Sequence, residues 1–269
     1  MSLRDPWLLA ADLDGTLIPL DDDARTRAGV QRFRALVEAK PRLILAYVTG
    51  RDRVLAEAGI RATGLPLPDL LATDVGTELY RLSGDTFRPD PEYADLMRRA
   101  MGGVSAERIR ALLEAHPGLE AQEAARQRPH KVSFYVDPAL GERPLREGVA
   151  PLLAEAGADV SLVYSRDPVK GVGLLDVLPR GVAKDAAVRF LHDRTGVAEE
   201  RLVYAGDSGN DRAAMLAGYR VVVVGNAPEP FKRELRRSAR ELGCAERLYF
   251  AREPYAAGVV EGLVHWGLA

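Results

Sequence analysis

Residues 8–17 constrain the fold of this chain more than any other stretch. They read Leu-Leu-Ala-Ala-Asp-Leu-Asp-Gly-Thr-Leu, and the apolar run before the acids predicts a strand that is buried on both faces. Asp12 and Asp14 follow this strand directly, and Gly15 permits a sharp turn. Asp-Gly alone is a common turn signal, but chemistry in an open parallel sheet collects where the strands end. The stretch therefore predicts a parallel sheet with a candidate site at its edge.

A second predicted strand ends beside the first. Residues 43–48 are continuously apolar and are followed by Thr-Gly-Arg at 49–51. Residues 24–39 carry apolar side chains at helical spacing, and a right-handed strand–helix–strand crossover brings two strand ends side by side. Asp12 and Thr49 are therefore expected to share one pocket.

A third predicted strand, residues 202–205, also ends in acids. The sequence Gly-Asp-Ser-Gly-Asn-Asp follows it over residues 206–211. Residues 183–194 before it show the apolar spacing of a helix, with Lys184 in the first turn. Because a helix start does not stabilise a cation, Lys184 needs another reason to lie there.

The sequence predicts an α/β fold, a Rossmann-like parallel sheet with helices on both faces and a small inserted α/β cap. The catalytic core is assigned to residues 1–82 and 168–269, and the cap to residues 83–167. Gly- and Pro-bearing segments at 83–93 and 166–173 are expected to act as hinges. The smaller predicted elements are a strand at 70–73, a projecting hairpin at 77–80, and a return to the core sheet at 174–178.

The composition excludes several classes of protein. A hydrophobic fraction of 47% and a charged fraction of 28% are ordinary for a globular protein, and a net charge of −2 indicates no nucleic-acid partner. Cys244 is the only cysteine, which excludes an internal disulfide and a multi-cysteine zinc site and is typical of a reducing compartment. Residues 1–6 are polar with no long apolar segment after them, so neither a signal peptide nor a membrane span is expected. The expected location is the cytoplasm, with a monomer as the favoured state.

Carboxylates gathered at strand ends need protons or a metal ion, because two like charges about 4 Å apart repel by roughly 4 kcal/mol at an effective dielectric near 20. The donors are oxygens with no histidine or cysteine nearby in the sequence, so Mg²⁺ is the predicted cofactor. Phosphoryl transfer needs mainly positioning and charge stabilisation, which this set supplies. Asp12 is the candidate nucleophile and Asp14 the candidate acid and base. Thr49 and Lys184 would face the phosphoryl oxygens.

These residues resemble the haloacid dehalogenase superfamily of phosphatases through four motifs in the family's order. The motifs are Asp-Leu-Asp-Gly-Thr at 12–16, Thr-Gly-Arg at 49–51, Lys184, and Gly-Asp-Ser-Gly-Asn-Asp at 206–211. The resemblance implies that Asp12, the backbone carbonyl of Asp14, and Asp207 bind Mg²⁺. It also implies supporting roles near the metal and the lysine for Ser208, Asn210 and Asp211.

The position of the insertion resembles the α/β cap of the sugar-phosphatase branch, and the chain is most similar to the sucrose-phosphate phosphatase family. The likeness covers nearly the whole chain and rests on residues 46–51, 76–78, 130–134, 176–179, 206–211 and 257–265. It implies a sugar phosphate as the small-molecule partner, with neither nucleic acid nor membrane involved. The candidate substrate-binding residues that it implies are Gly50, Arg51, Thr77, Glu78, Lys131 and Asp176.

Several alternatives stay open at this point. Leu174 and Asp185 depart from the family's pattern, so mannosylfructose phosphate and glucosylglycerol phosphate compete with sucrose 6-phosphate. A phosphosugar mutase could use the same core, but it would return the phosphoryl group to sugar. A signalling receiver module also gathers Asp, Thr and Lys at strand ends, but its acid pair lacks a following Gly-Thr and it has no cap. A membrane ion pump would need a basic residue in place of Asp14.

Overall fold

The computed structural model describes residues 6–20, 23–137, 139–140, 142–166 and 172–268. The chain divides into two compact units, Met1–Pro89 with Ala183–Ala269 and Asp90–Val182. None of the helices in the described ranges combines the length and the apolar sequence needed to span a bilayer. Residues 1–5 lie outside the described residues, and the expectation that no signal peptide is present depends on them. Most of the predicted hinge at 166–173 also lies outside the described residues.

The secondary structure alternates strands and helices through most of the chain. In chain order the strands are β1 (Trp7–Ala11), β2 (Leu43–Val48), β3 (Leu70–Thr73), β4 (Glu78–Ser83), β5 (Thr86–Pro89), β6 (Leu119–Ala121), β7 (Val132–Val136), β8 (Val160–Arg166), β9 (Gly173–Pro179), β10 (Leu202–Gly206), β11 (Arg220–Val223) and β12 (Leu248–Phe250). The helices are α1 (Ala24–Glu38), α2 (Arg53–Thr63), α3 (Pro91–Ala100), α4 (Ala106–Leu113), α5 (Glu142–Glu155), α6 (Lys184–Thr195), α7 (Arg212–Met215), α8 (Glu229–Glu241) and α9 (Tyr255–His265).

The first unit is built on an eight-stranded sheet in the order β12-β11-β10-β1-β2-β3-β4-β5. The strands from β12 to β3 run parallel, whereas β4 and β5 join antiparallel to their neighbours. β1 lies inside the parallel part, between β10 and β2. The predicted α/β fold with a parallel Rossmann-like core is confirmed.

Both faces of the central strand are covered. Leu9 and Ala11 belong to an apolar cluster that includes buried side chains of α1, α2 and α9. Leu8 and Ala10 alternate with them, point to the opposite face, and are equally buried. Burial on both faces is the reason that the sequence of β1 is continuously apolar instead of alternating.

The strand register brings three strand ends to one edge of this sheet. Ala11, at the end of β1, pairs in parallel with β2 and with Ala205 of β10. The ladder continues for one more bond, from the N–H of Asp12 to the carbonyl of Ala205 at 2.9 Å. Asp12, Thr49 and Asp207 therefore follow their strands at the same edge.

The second unit has its own four-stranded antiparallel sheet in the order β6-β7-β9-β8. Its apolar core includes Phe134 and Leu175 from the sheet, with Ile109 of α4 and Leu153 of α5. Because β9 pairs with both β7 and β8, the expectation that residues 174–178 return to the core sheet is wrong. An apolar run indicates a buried strand but does not specify which sheet it joins. The second unit accordingly extends to Val182.

The predicted hairpin does not project from the sheet. Residues 78–80 begin β4, which pairs antiparallel with β3 inside the large sheet, and Thr77 lies in the turn between the two strands. The predicted hinge at 83–93 contains β5 and the beginning of α3. Within this segment Pro91 is the first residue of α3. The Asp90 side chain caps that helix by accepting a hydrogen bond from the N–H of Tyr93 at 3.0 Å. The turn-forming residues of this segment therefore belong to the connection between β4 and β5 and to the start of α3.

Candidate active site

Lys184 lies at the centre of the candidate active site. It is the first residue of α6, and its side chain is completely buried. The Nζ atom lies 2.6 Å from Asp12 Oδ1 and 2.7 Å from Asp211 Oδ1. The dipole of α6 disfavours a cation at the start of the helix, and these two carboxylates offset that effect. An ammonium group has three protons, so one remains for a further acceptor.

The Asp211 carboxylate is fully engaged by protein donors. Its Oδ1 atom accepts hydrogen bonds from Lys184 Nζ and from the buried hydroxyl of Tyr204, each at 2.7 Å. Its Oδ2 atom accepts from the backbone N–H groups of Asp207 at 3.0 Å and Ser208 at 3.1 Å. Asp211 therefore fixes the lysine and the start of the loop after β10.

The acids at the ends of β1 and β10 fit a hard divalent cation. Oxygen atoms of Asp12, Asp207 and Asp211 lie within 4.8 Å of one another. The hydroxyl of Thr16 donates to Asp207 Oδ1 at 3.3 Å and helps to orient that carboxylate. Carboxylate oxygens at this spacing suit Mg²⁺. Because the Asp211 oxygens are already bonded, Asp12 and Asp207 are the carboxylates best suited to hold the ion.

The electrostatics of the cluster follow from burial. Burial raises the pKa of Asp12 to about 8, with the Asp211 carboxylate adding to the rise and the Lys184 ammonium opposing it. Burial also raises the pKa of Asp207 to about 6, and Asp211 again adds to it. Burial alone lowers the pKa of Lys184, but the two neighbouring carboxylates raise it further than burial lowers it. The lysine is therefore charged, and a cation bound to the acids would replace protons.

We expect the stability of the metal-free protein to fall as the pH rises from about 4 to about 8. In the unfolded chain Asp12 and Asp207 lose their protons near the ordinary pKa of 3.8, whereas the folded protein keeps them to about 8 and about 6. The folded state thus binds more protons across this window, so a higher pH favours unfolding. Mg²⁺ should therefore raise the thermal midpoint more at about pH 8 than at about pH 5.

Thermal scans with Mg²⁺ and with a chelator at both pH values check this expectation. Asp12→Asn should flatten the pH dependence in chelator, because it removes the group with the larger rise in pKa. An equal effect of Mg²⁺ at the two pH values would contradict the assignment of these acids to a cation site.

Asp14 forms a two-point ion pair with Arg51. The Nε and Nη2 atoms of Arg51 donate to the two carboxylate oxygens of Asp14 at 2.8 and 2.5 Å. The Nη1 atom donates to the carbonyl of Leu55 at 3.1 Å, so each of these three nitrogens has a protein acceptor. The pair fixes the orientation of the Asp14 carboxylate. Substrate binding by Arg51 stays a prediction.

A strained turn supports the loop that carries Thr49. Asp74 and Val75 have φ angles of 50° and 62°, which are uncommon for residues with side chains. Their N–H groups donate to the carbonyls of Arg51 at 2.9 Å and Thr49 at 3.1 Å. The hydroxyl oxygen of Thr49 accepts from the N–H of Arg51 at 3.1 Å and is buried. Strained backbone of this kind is typical of functional sites.

The remaining predicted residues of the first unit lie in loops, except Glu78, which is the first residue of β4. Gly50 is exposed between the two polar residues of its loop. The Thr77 hydroxyl donates to the Asp74 carbonyl at 3.0 Å, and Glu78 is buried at the start of β4. The Ser208 hydroxyl donates to Asn210 Oδ1 at 3.0 Å. Their roles toward substrate and metal stay predictions.

Lys131 and Asp176 lie in the second unit. Asp176 is on β9 and accepts a hydrogen bond from the hydroxyl of Ser133 on β7 at 2.6 Å. Lys131 immediately precedes β7 and forms an isolated bridge with Arg128. Substrate binding by both residues stays a prediction.

Two residues that hold the site together escape prediction from sequence. Tyr204 is a tyrosine within the buried strand β10. Because a buried hydroxyl usually requires a hydrogen-bond partner, its position in an apolar run is a sequence signal that could indicate a nearby acceptor. Asn226 donates from Nδ2 to the carbonyl of Gly15 at 2.7 Å, across a separation of 211 residues. By its sequence Gly225-Asn226 predicts no more than a turn, and this long-range hydrogen bond shows that interpretation to be wrong.

Comparison with known proteins gives consistent relatives. The X-ray structure of the sucrose-phosphatase from Synechocystis sp., in complex with sucrose and phosphate, aligns with a TM-score of 0.71 and 26% identity, covering 98% of each chain. A protein of Nitrosococcus oceani named as a HAD-like hydrolase is 35% identical over 98% of this chain and 72% of that protein. Mannosylfructose-phosphate phosphatase of Agrobacterium fabrum is 33% identical over 97% of each. The chain spans about 60% of the length of the plant sucrose-phosphatases that it matches.

The strand order, the acids after β1 and β10, and the buried lysine at the start of α6 define a hydrolase of the haloacid dehalogenase class. A family model described as sucrose-6F-phosphate phosphohydrolase matches residues 5–267. The chain belongs to the sucrose-6F-phosphate phosphohydrolase family. The predicted resemblance to sugar phosphatases of this class is confirmed.

Proposed function

We propose that the chain is a Mg²⁺-dependent phosphatase that hydrolyses the phosphate ester of a disaccharide, with sucrose 6-phosphate as its substrate. The observation that carries the proposal is the buried Lys184 ammonium between Asp12 and Asp211, with Asp207 in the same cluster. A carboxylate nucleophile, a cation-binding carboxylate and a fixed ammonium are the parts that phosphoryl transfer requires.

In the proposed first step, a carboxylate oxygen of Asp12 attacks the phosphorus atom and forms an aspartyl-phosphate. The bond between phosphorus and the sugar oxygen breaks, and Asp14 gives its proton to that oxygen. The third proton of Lys184 stabilises a phosphoryl oxygen. The Thr49 hydroxyl already accepts the Arg51 N–H, which leaves its own proton to donate to another phosphoryl oxygen.

In the proposed second step, the Asp14 carboxylate takes a proton from a water molecule that attacks the phosphorus. The bond between phosphorus and Asp12 breaks, which releases phosphate and restores both side chains. The two-point pair with Arg51 supports this role, because it holds the Asp14 carboxylate in one orientation near the end of β1. Arg51 acts in this proposal by positioning the acid, alongside any contact with substrate.

Mg²⁺ is the proposed cofactor, held by Asp12, Asp207 and the backbone carbonyl of Asp14. When bound, the ion neutralises charge on the acids and on the phosphoryl group. Carboxylate oxygens of Asp12 and Asp207 lie within 4.8 Å of each other, which supports the choice of these two residues. Asp211 has no part in direct ligation here, since its two oxygens serve Lys184, Tyr204 and the loop after β10.

The identity of the sugar is supported by the relatives. The description of the family model names sucrose-6F-phosphate, whereas a relative of 33% identity is named as a mannosylfructose-phosphate phosphatase. Phosphate release from sucrose 6-phosphate, mannosylfructose phosphate, glucosylglycerol phosphate and glucose 6-phosphate tests the proposal. We expect kcat/KM to be highest for sucrose 6-phosphate and at least about tenfold above glucose 6-phosphate. If kcat/KM were higher for another disaccharide phosphate, that compound would be assigned as the substrate instead. Isomerisation of the sugar phosphate without release of free phosphate would indicate a mutase.

We expect Lys131→Ala and Glu78→Ala each to lower kcat/KM for the disaccharide phosphate by about tenfold or more, with little effect on a small aryl phosphate. One lost hydrogen bond to a sugar hydroxyl costs roughly 1–3 kcal/mol, and an aryl phosphate lacks those hydroxyls. Arg98→Ala removes an exposed cation of the second unit and serves as the matched control. Equal losses on both substrates would assign these residues to the phosphoryl chemistry or to folding.

The proposed reaction is placed in the cytoplasm and needs one chain. A single cysteine, Cys244, supports a reducing compartment. All members of the acidic cluster and Lys184 come from the first unit of the same chain, which supports a monomer as sufficient for the chemistry.

A further inference from the structure

The turn between β11 and α8 carries Asn226, whose side-chain amide joins two distant backbone segments. Its Nδ2 atom donates to the carbonyl of Gly15 at 2.7 Å. Its Oδ1 atom accepts from the N–H of Tyr255, the first residue of α9, at 2.9 Å. Because one partner is a carbonyl and the other an N–H group, a single orientation of the amide satisfies both. An acceptor-only carboxylate could not make both bonds.

The Gly15 end of this connection lies in the segment that carries the proposed nucleophile. Gly15 has a φ angle of 75°, and a Cβ atom on it would lie 2.6 Å from Asp207 Oδ2. The next residue, Thr16, donates to the other oxygen of Asp207 at 3.3 Å. Residues 15–16 therefore lie against the Asp207 carboxylate.

The turn that carries Asn226 is itself fixed by several bonds. The Lys232 side chain is largely buried, and its Nζ atom donates to the Gly225 carbonyl at 2.8 Å. The N–H of Gly225 donates to the carbonyl of Glu253 at 2.9 Å. Tyr255 has a φ angle of 52°, a strained conformation that the Asn226 bond helps to hold. A side chain anchored in this way can transmit a fixed position to Gly15.

We propose that Asn226 is a positioning residue that holds the segment from Asp12 to Thr16 at a fixed spacing from Asp207. It acts on the two carboxylates through the Gly15 peptide and touches neither substrate nor the reacting atoms. The effect on turnover rests on the proposed function, whereas the effect on cation binding requires only that the two carboxylates hold Mg²⁺. Groups that orient the ligands of a metal typically change its affinity by about 10- to 100-fold when removed.

Asn226→Ala tests the proposal. We expect it to weaken Mg²⁺ binding, measured by calorimetry on the substrate-free protein, by about tenfold or more. At saturating Mg²⁺ we expect kcat for a small aryl phosphate to fall by about tenfold, with KM changed by less than about twofold, because alignment is lost and binding is kept. Amide hydrogen exchange over residues 12–18 should become faster than in the wild type.

Trp266→Phe is the matched control. Its indole N–H donates to the carbonyl of Val221 at 3.2 Å, so the variant loses this hydrogen bond and alters the ring contacts with Arg220 and His265, just beyond the opposite end of α9. We expect a drop in thermal midpoint similar to that of Asn226→Ala, with Mg²⁺ affinity, kcat and exchange over residues 12–18 unchanged. A role of Asn226 in stability alone would make the two variants behave alike, and that result would overturn the proposal.

Asn226→Asp keeps the proposal testable if the alanine variant does not fold. Its carboxylate can still accept from Tyr255 but faces the Gly15 carbonyl without a proton to donate. We expect kcat to fall at least as far as in Asn226→Ala, and a wild-type kcat would overturn the proposal. The Mg²⁺ comparison is confined to the alanine variant, because an added charge attracts the ion by itself. If the wild type released no phosphate from any ester, the proposed function would fail, while Mg²⁺ binding and hydrogen exchange would still decide the role of Asn226.

Discussion

Asp12→Asn should lower kcat by about 10⁴-fold or more while the protein stays folded. The change replaces the attacking carboxylate with an uncharged amide, a much poorer nucleophile, and barely alters the size of the side chain. Because burial raises the pKa of Asp12 to about 8, the folded protein already accommodates a neutral side chain at this position near pH 7. We expect a single cooperative unfolding transition in chelator, with a midpoint that also reports the loss of one carboxylate beside the buried Lys184 ammonium. Phosphate release from the disaccharide phosphate and from an aryl phosphate, at saturating Mg²⁺, measures the loss.

Asp23→Asn is the matched control for this variant. Asp23 caps α1 from an exposed position, and asparagine is an equally good helix cap, so the change removes one negative charge outside the site. We expect wild-type kcat for it. If Asp12→Asn kept kcat within about tenfold of the control, the assignment of Asp12 as nucleophile would be wrong.

Asp14→Asn should lower steady-state turnover by about 10²- to 10⁴-fold, the usual contribution of a general acid and base. The two steps should separate with an aryl phosphate, whose leaving group needs little help from an acid. We expect a rapid burst of one aryl alcohol per protein molecule, followed by slow turnover, because the base that activates water is absent. With the disaccharide phosphate both steps should be slow. Stopped-flow release of a coloured aryl alcohol measures the burst.

The Asp14 variant also loses its ion pair with Arg51, so its folding needs a separate check. The Asp14 side chain is 43% exposed and that of Arg51 is 29% exposed, and exposed pairs of this kind contribute little stability. We expect a thermal midpoint close to that of the wild type. Slow turnover without a burst, in a folded protein that binds Mg²⁺ normally, would contradict the role of Asp14 in the second step.

Local sequence patterns were sufficient to predict the strands that form the site. β1, β2 and β10 are continuous apolar runs that end in polar residues, and each of these features lies within about ten neighbouring residues. The parallel arrangement then follows from the crossover rule, which brings the ends of β1 and β2 together. Lys184 was predicted in the same way, because a cation at a helix start conflicts with the helix dipole and therefore indicates a nearby anion.

The contacts that fix the site could not be read from local patterns. Asn226 and Gly15 are 211 residues apart, and Arg51 and Asp14 are 37 residues apart, so no periodicity connects them. β9 shows the same limit at the level of the sheet. Its apolar sequence indicates burial, but only pairing with β7 and β8 assigns it to the second unit. Local chemistry thus specifies each element, whereas long-range pairing specifies its neighbours.

In the proposed mechanism the phosphoryl group passes through a covalent bond to Asp12. The most direct test is to mix Asp14→Asn with an aryl phosphate and Mg²⁺, stop the reaction in acid, and reduce the protein with borohydride, which converts an aspartyl-phosphate to homoserine. Peptide mass spectrometry then identifies the modified residue. We expect homoserine at position 12 and, in a parallel sample without substrate, unmodified aspartate there. Homoserine at another aspartate, or rapid turnover with position 12 unmodified, would contradict it.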